Sequence, residues 1–182
     1  RPRAVRALCG RRGGGRVSRA GASRFFARGL LAAGLILVLD QLSKWWILDI
    51  FRLPERGFVE VLPFFNLVMV WNRGVSFGLF AAGSDLGRWL LVAVTVAICG
   101  IVVFWLRRAD QRLAAAALSL VLGGALGNIV DRIRLGAVAD FIQLHAGGYS
   151  FYVFNIADAA ISIGVALLLI DAILSGRRNG SE

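Results

Sequence analysis

Two aspartates lie in surroundings that are otherwise apolar. Asp140 interrupts the run AVADFI, and Asp158 follows Asn155 by three residues at the start of a long apolar segment. Two carboxyl groups that are close together at low dielectric share a proton, because both cannot ionise cheaply. One is then an acid and the other a base, as hydrolysis of a peptide bond by an activated water requires. The spacing alone leaves a proton relay and buried structural acids open as alternatives.

A possible ion pair lies in the first apolar segment. Asp40 and Lys44 are four residues apart and share one helix face, so they can pair. Charged groups are expensive inside a membrane, which makes each of them a candidate functional residue. The pair could fix helix packing or contact a substrate, and the sequence does not favour either role.

A second polar group follows the third apolar segment. Asn128 can reach Asp131 at i+3 and Arg132 at i+4, so the three side chains can form one cluster. For this cluster we favour structural support through interhelical hydrogen bonds over chemistry. Asn155 is expected to cap the fourth helix through the backbone amide of Asp158.

The residues needed for other kinds of site, such as a serine nucleophile with a histidine base or a zinc cluster, are not grouped in this sequence. The single histidine, His145, is expected in a loop, with no serine nearby to act as a nucleophile. Cys9 and Cys99 are the two cysteines, too few for a disulfide framework or a zinc cluster. The net charge of +10 could suggest nucleic acid, but residues 1–28 hold nine arginines and no acid. The remaining chain is nearly neutral, so a nucleic-acid module is excluded and the tail is interpreted as a topology anchor.

Four apolar segments must position these polar residues. The chain is 58% hydrophobic with a mean hydropathy of +0.71, above the usual range for soluble proteins. A helix needs roughly 20 mostly apolar residues to cross a bilayer, and we predict spans at about 29–51, 89–106, 113–130 and 155–174. Gly123 and Gly127 form a pattern that lets a neighbouring helix approach the third span closely.

The arginines predict the orientation of these spans. The N-terminal tail, the 107–112 link and the C-terminal tail carry nine, three and two basic residues, whereas 52–88 and 131–154 together carry six. The positive-inside rule therefore places both termini in the cytoplasm and the two longer connections outside. Asp140 and Asp158 then both lie at the outer membrane boundary.

The outer connections favour strands over helices. Residues 53–80 and 137–154 contain Val- and Phe-rich runs with turn signals at Pro63, Asn72–Gly74 and the Gly147-Gly148 pair. We therefore predict a mainly α membrane protein, with four transmembrane helices and a small β element on their outer ends. It comprises one domain over 29–175, a disordered basic tail over 1–28 and a short tail over 176–182.

Four sequence blocks resemble lipoprotein signal peptidase (signal peptidase II), a family of bacterial intramembrane aspartic peptidases. They lie within about residues 36–165 and occur in the family's order. They are DQLSK (40–44), NRGVSF (72–77), GNIVDRIRLGAVADF (127–141) and FNIADAAI (154–161). A proline that often precedes the Phe-Asn motif in the family is replaced here by the sequence FYVF (151–154).

The resemblance implies roles for individual residues. Asp140 and Asp158 match the catalytic aspartates. The other motif positions, which line or brace the site, are Asp40, Lys44, Asn72, Gly74, Asn128, Asp131, Arg132 and Asn155. Family members have four transmembrane helices and an extracytoplasmic β-cradle in the bacterial inner membrane. They remove the signal peptide from prolipoproteins, just before a cysteine that carries diacylglycerol.

The resemblance also implies conditions and partners. It implies no metal or other cofactor, inhibition by globomycin, contact with membrane lipid and a monomeric state. A rival interpretation is a small transporter or proton relay that uses the same carboxylates. Such a relay would need carboxylates through the depth of the membrane, whereas this chain concentrates them in the predicted outer half.

Overall fold

The computed structural model describes residues 19–74, 85–146 and 149–179. Five α-helices are present in this part of the chain: α1 (Arg19–Trp45), the short α2 (Leu53–Arg56), α3 (Asp85–Arg108), α4 (Arg112–Leu135) and α5 (Ile156–Asn179). A π-helical turn, Trp46–Ile50, extends α1. The strands are β1 (Phe58–Leu62), β2 (Phe65–Asn72), β3 (Val138–Ala146) and β4 (Tyr149–Ser150).

Four of the described helices are long and apolar enough to cross a membrane: Phe25–Ile50, Asp85–Arg108, Arg112–Leu135 and Ile156–Leu174. The predicted fold class, four such helices with a small sheet, is confirmed. Helix α1 begins at Arg19, ten residues before the predicted start, because an apolar pattern marks the membrane-crossing length and not the end of helical hydrogen bonding. Most of the predicted tail, 1–18, lies outside the described residues.

Helix α4 lies at the centre of the bundle and packs against α1, α3 and α5. Its glycines allow close approach, as the small-residue pattern predicted. A methyl group on Gly123 would overlap the backbone of α1, and one on Gly124 would overlap the carbonyl oxygen of Ala157 in α5. Because both neighbours approach to backbone contact, polar side chains on the three helices are brought within hydrogen-bonding distance.

The strands form one antiparallel sheet in the order β1-β2-β3-β4. In its central pair, Val70 faces Asp140 and Asn72 faces Val138 across the ladder. Strand β3 follows directly after α4, and an isolated bridge joins Ile142 to Phe154, just before α5. The sheet is thereby tied to the ends of α4 and α5. His145 lies in β3 and not in the loop expected from sequence.

Candidate active site

Asp140 is held in the first half of β3, with its side chain almost fully buried (2% exposed). Its Oδ1 accepts a hydrogen bond of 2.6 Å from Nδ2 of Asn155, and its Oδ2 accepts one of 3.0 Å from Nδ2 of Asn72. The two donors come from different elements, since Asn72 ends β2 and Asn155 precedes α5. This carboxyl group is therefore fixed at the junction of sheet and bundle.

Asp158 lies in the first turn of α5 and is only partly buried. Its backbone N–H donates to Oδ1 of Asn155 at 2.9 Å, so Asn155 caps the helix as the sequence predicted. Its Oδ1 accepts a hydrogen bond of 2.8 Å from Nδ2 of Asn128 in α4. The cap and this bond fix both the backbone and the side chain of Asp158.

Two asparagines connect the aspartates. Nδ2 of Asn155 lies 3.4 Å from Oδ1 of Asn128, so the order of contacts is Asp140, Asn155, Asn128, Asp158. The pKa of Asp140 is raised from its usual 3.8 to about 6, mainly by burial and in part by the negative charge of Asp158. Hydrogen bonds from the two asparagines that contact Asp140 act in the opposite direction. The charge of Asp158 is therefore close enough to influence the protonation of Asp140.

A buried ion cluster lies beside the aspartates. Nζ of Lys44 is 2.8 Å from Oδ2 of Asp40 and 2.7 Å from Oδ2 of Asp131, and all three side chains are at most 3% exposed. The pairing of Asp40 with Lys44 within α1 was predicted from their spacing. The grouping of Asp131 with Asn128 was wrong in detail: Asp131 pairs with Lys44, while the amide of Asn128 donates to Asp158.

The ion cluster also anchors the backbone beside each aspartate. Oδ1 of Asp40 accepts a hydrogen bond of 3.0 Å from the N–H of Ala157, the residue before Asp158. Oδ2 of Asp131 accepts one of 3.2 Å from the N–H of Ala139, the residue before Asp140. Each carboxylate of the cluster thus fixes the chain next to one aspartate, and a single lysine holds both carboxylates.

Gln41, which was not predicted as a site residue, also belongs to this cluster. Its Nε2 donates to Oδ1 of Asp131 at 2.9 Å, and it lies 3.1 Å from Oδ2 of Asp40. A third contact, of 3.3 Å, joins it to the carbonyl oxygen of Gly127. A polar amide in an apolar span, next to a charged residue, was the available signal.

Arg132 and Gly74 lie at the edge of the site. Nη1 of Arg132 donates to the carbonyl oxygen of Asn128 at 3.3 Å, and its buried Nε has no hydrogen-bond partner among the described residues. Gly74 has a φ of +81° and donates its N–H to Oδ1 of Asn72. A β-carbon at Gly74 would lie only 2.6 Å from Cδ1 of Leu91 and 3.4 Å from Nη2 of Arg132, so the position favours glycine. The rest of that sequence block, 75–77, lies outside the described residues.

All ten residues selected from the sequence therefore lie at one end of the bundle, in two adjoining groups with Arg132 and Gly74 beside them. Within the described part of the chain, no three His, Cys, Asp or Glu side chains are grouped to hold a metal. The arrangement contains a pair of interacting carboxyl groups at the junction of the membrane helices and the small sheet. Asp140 is buried and Asp158 is partly exposed. Such a pair can perform acid–base chemistry on a bound water.

These features define a membrane enzyme that carries a carboxyl pair at the sheet end of its bundle. Comparison with known proteins agrees: the family model described as Signal peptidase (SPase) II matches residues 32–174. The chain belongs to the signal peptidase II family.

Individual relatives support this assignment. The lipoprotein signal peptidase of Methylobacterium sp. (strain 4-46) is 52% identical over 150 residues, which is 82% of this chain and 91% of that protein. That of Beijerinckia indica is 52% identical over 147 residues, covering 81% and 88%. A solved bacterial membrane enzyme is 32% identical with a TM-score of 0.70, covering 84% of this chain and 91% of its own.

Proposed function

We propose that this protein is a membrane-embedded aspartic endopeptidase that removes the signal peptide from prolipoproteins. It cuts just before the cysteine that carries diacylglycerol. Family membership and relatives named lipoprotein signal peptidase support the reaction and the substrate class. The main support for Asp140 and Asp158 as the catalytic pair is structural. Hydrogen bonds connect Asp140 through Asn155 and Asn128 to Asp158.

In the proposed reaction the two catalytic residues, Asp140 and Asp158, share one proton. The ionised carboxylate takes a proton from water, and the water oxygen attacks the scissile carbonyl carbon. The protonated carboxyl donates a hydrogen bond to the carbonyl oxygen, which becomes negatively charged as the tetrahedral intermediate forms. The intermediate then collapses, the C–N bond breaks and the leaving amine receives a proton from the pair.

In this proposal the shared proton is assigned to Asp140. This carboxyl is the more deeply buried of the two, and burial raises its pKa to about 6. Asp158 is partly open and is the better placed of the pair to contact a water. Because the two groups interact, a measured pKa belongs to the pair and not to one residue.

Asn72, Arg132 and Lys44 are the side chains near the aspartates that could donate hydrogen bonds to the developing oxyanion. Asn72 contacts Asp140 directly, and Arg132 has an unpaired buried Nε among the described residues. Lys44 is already bound to two carboxylates and is buried. We therefore assign oxyanion stabilisation to Asn72 and Arg132, and a positioning role to Lys44 with its two partners.

The proposed setting is the bacterial inner membrane, with both termini in the cytoplasm and the site at the outer face. The distribution of arginines supports this orientation. In this setting the sheet and the aspartates meet the lipid-modified end of the substrate at the outer headgroup level, and the acyl chains lie in lipid or between helices. We further propose that the enzyme acts as a monomer in contact with membrane lipid, without a metal, and is inhibited by globomycin.

Cleavage of a diacylglyceryl-modified prolipoprotein by the purified protein in detergent tests this proposal. Asp140→Asn and Asp158→Asn keep side-chain size but remove proton exchange, so each should lower kcat by at least about a hundredfold. Asp171→Asn is the matched control, because it makes the same change on α5 far from the site, and it should retain wild-type kcat. Near wild-type turnover in either folded dyad variant would overturn the assignment.

A further inference from the structure

A cleft lies at the end of the bundle opposite the aspartates. It has a volume of about 360 Å³ and opens between the first turns of α4 and the facing part of α1. Small residues form its walls, Gly29 and Ala32 on α1 and Ala115 and Ala116 on α4, and Arg28 and Arg112 stand at its edge. Neither wall contributes to the proposed catalytic site, so the cleft needs a separate explanation.

The two arginines give the cleft its charge. Both are exposed, and neither has a carboxylate partner among the side chains that the structure describes. Other arginines at this end are placed differently: the guanidinium of Arg107 lies over Phe26 and that of Arg108 lies over Phe104. Arg28 and Arg112 therefore place two available guanidiniums at the edge of one cleft, and guanidiniums are well suited to bind phosphate oxygens.

The position of the cleft along the membrane-crossing helices indicates which part of the bilayer it faces. Arg112 is the first residue of one membrane-crossing segment, and Arg28 lies in the first turn of another, Phe25–Ile50. These positions are at the level of the lipid headgroups, and below them α1 exposes apolar side chains such as Leu31 and Leu35. A molecule that fills the cleft must therefore combine a negative head with an apolar body.

We propose that this cleft is a binding site for an anionic phospholipid. The phosphate lies between Arg28 and Arg112, the glycerol unit occupies the space left by the small residues, and the acyl chains run along the exposed apolar face of α1. A zwitterionic lipid binds less well, because its own ammonium group opposes the two guanidiniums. The proposal does not depend on the catalytic function, since the two sites lie at opposite ends of the bundle.

Native mass spectrometry of the full chain in detergent, titrated with phosphatidylglycerol, tests the site. Arg28→Gln/Arg112→Gln should weaken binding by about 30-fold or more, because each guanidinium loses a charge-assisted hydrogen bond to the phosphate. Arg107→Gln/Arg108→Gln is the matched control, because it removes the same charge at the same end, and it should bind within about threefold of wild type. Ala116→Phe keeps every charge but fills the cleft, and it should also weaken binding by at least about tenfold.

Four results would overturn the proposal. Equal losses in the two arginine pairs would show general attraction to a basic surface, and unchanged binding by Ala116→Phe would place the lipid elsewhere. Full competition by inorganic phosphate, or equal binding of phosphatidylcholine, would remove the specificity for an anionic lipid. Prolipoprotein cleavage serves as the folding check, because none of the substituted residues belongs to the catalytic site, and each variant should retain it.

Discussion

Replacing Lys44 by methionine removes the cation that lies between Asp40 and Asp131. Methionine keeps most of the length of the side chain, so the change is mainly in charge. Both carboxylates are within 2.8 Å of Nζ and are almost completely buried, so they cannot recover their interaction by turning to water. Removing one partner of a buried ion pair costs about 3–5 kcal/mol. With two carboxylates left unpaired, we expect the upper part of this range, a destabilisation of about 4–5 kcal/mol.

The assay is thermal unfolding in detergent, followed by tryptophan fluorescence. For a chain of this size the loss corresponds to a decrease in Tm of about 10–15 °C. Arg88→Met is the matched control: it also replaces a paired cation, but the side chain of its partner, Asp85, is 84% exposed, and such pairs contribute about 0–1 kcal/mol. In the fraction of Lys44→Met that is folded, kcat should decrease at least tenfold with little change in KM, because the backbone anchors beside both aspartates are weakened.

A double variant separates this explanation from a loss of packing. Lys44→Met/Asp131→Asn removes one of the unpaired charges, so it should be more stable than the sum of the two single changes predicts, by about 1 kcal/mol or more. If Lys44→Met unfolds within a few degrees of Arg88→Met, or if the two changes are additive, the role of Lys44 as a charge partner is refuted.

Three further predictions concern the site itself. The kcat/KM of the wild type should decrease as pH rises through about 6, because Asp140 then loses the proton that the proposed mechanism uses. A pH profile without any transition above pH 5 would contradict this prediction. Asn72→Ala removes a hydrogen bond that lowers the pKa of Asp140, so the same decrease should move to higher pH; a shift to lower pH would contradict the assignment. Gly127→Ala places a methyl group 2.5 Å from Oδ2 of Asp40, so this substitution should reduce both Tm and kcat. Gly100→Ala is the control: its methyl group enters open space, and it should reduce neither quantity.

Local features of this fold could be predicted from sequence. The apolar segments predicted the four spans, because crossing a membrane sets the length and composition of a helix. The i, i+4 spacing predicted the pairing of Asp40 with Lys44, and the position of Asn155 predicted its cap on α5. Each of these contacts joins residues that are close in the chain, so the helix geometry alone fixes them.

The contacts that organise the site could not be predicted in this way. The second partner of Lys44, Asp131, comes from α4, and the partner of the Asn128 amide comes from α5. Both depend on how closely α4 approaches its neighbours at Gly123 and Gly124, which spacing along one helix does not reveal. For the same reason the sequence suggested an interaction within α4, between Asn128 and Asp131, where the folded protein uses contacts between helices.

The shared lysine also has a consequence for how the protein is made. Domains of a nascent chain generally assemble in the order of synthesis, and α1 already contains Asp40 and Lys44 as a mutually neutralising pair. The first helix can therefore enter the bilayer before the ribosome has made Asp131. Asp158 arrives only with the final helix, so an unfinished chain has no complete carboxyl pair. In the proposed mechanism, proteolytic activity therefore requires that the last span has been translated.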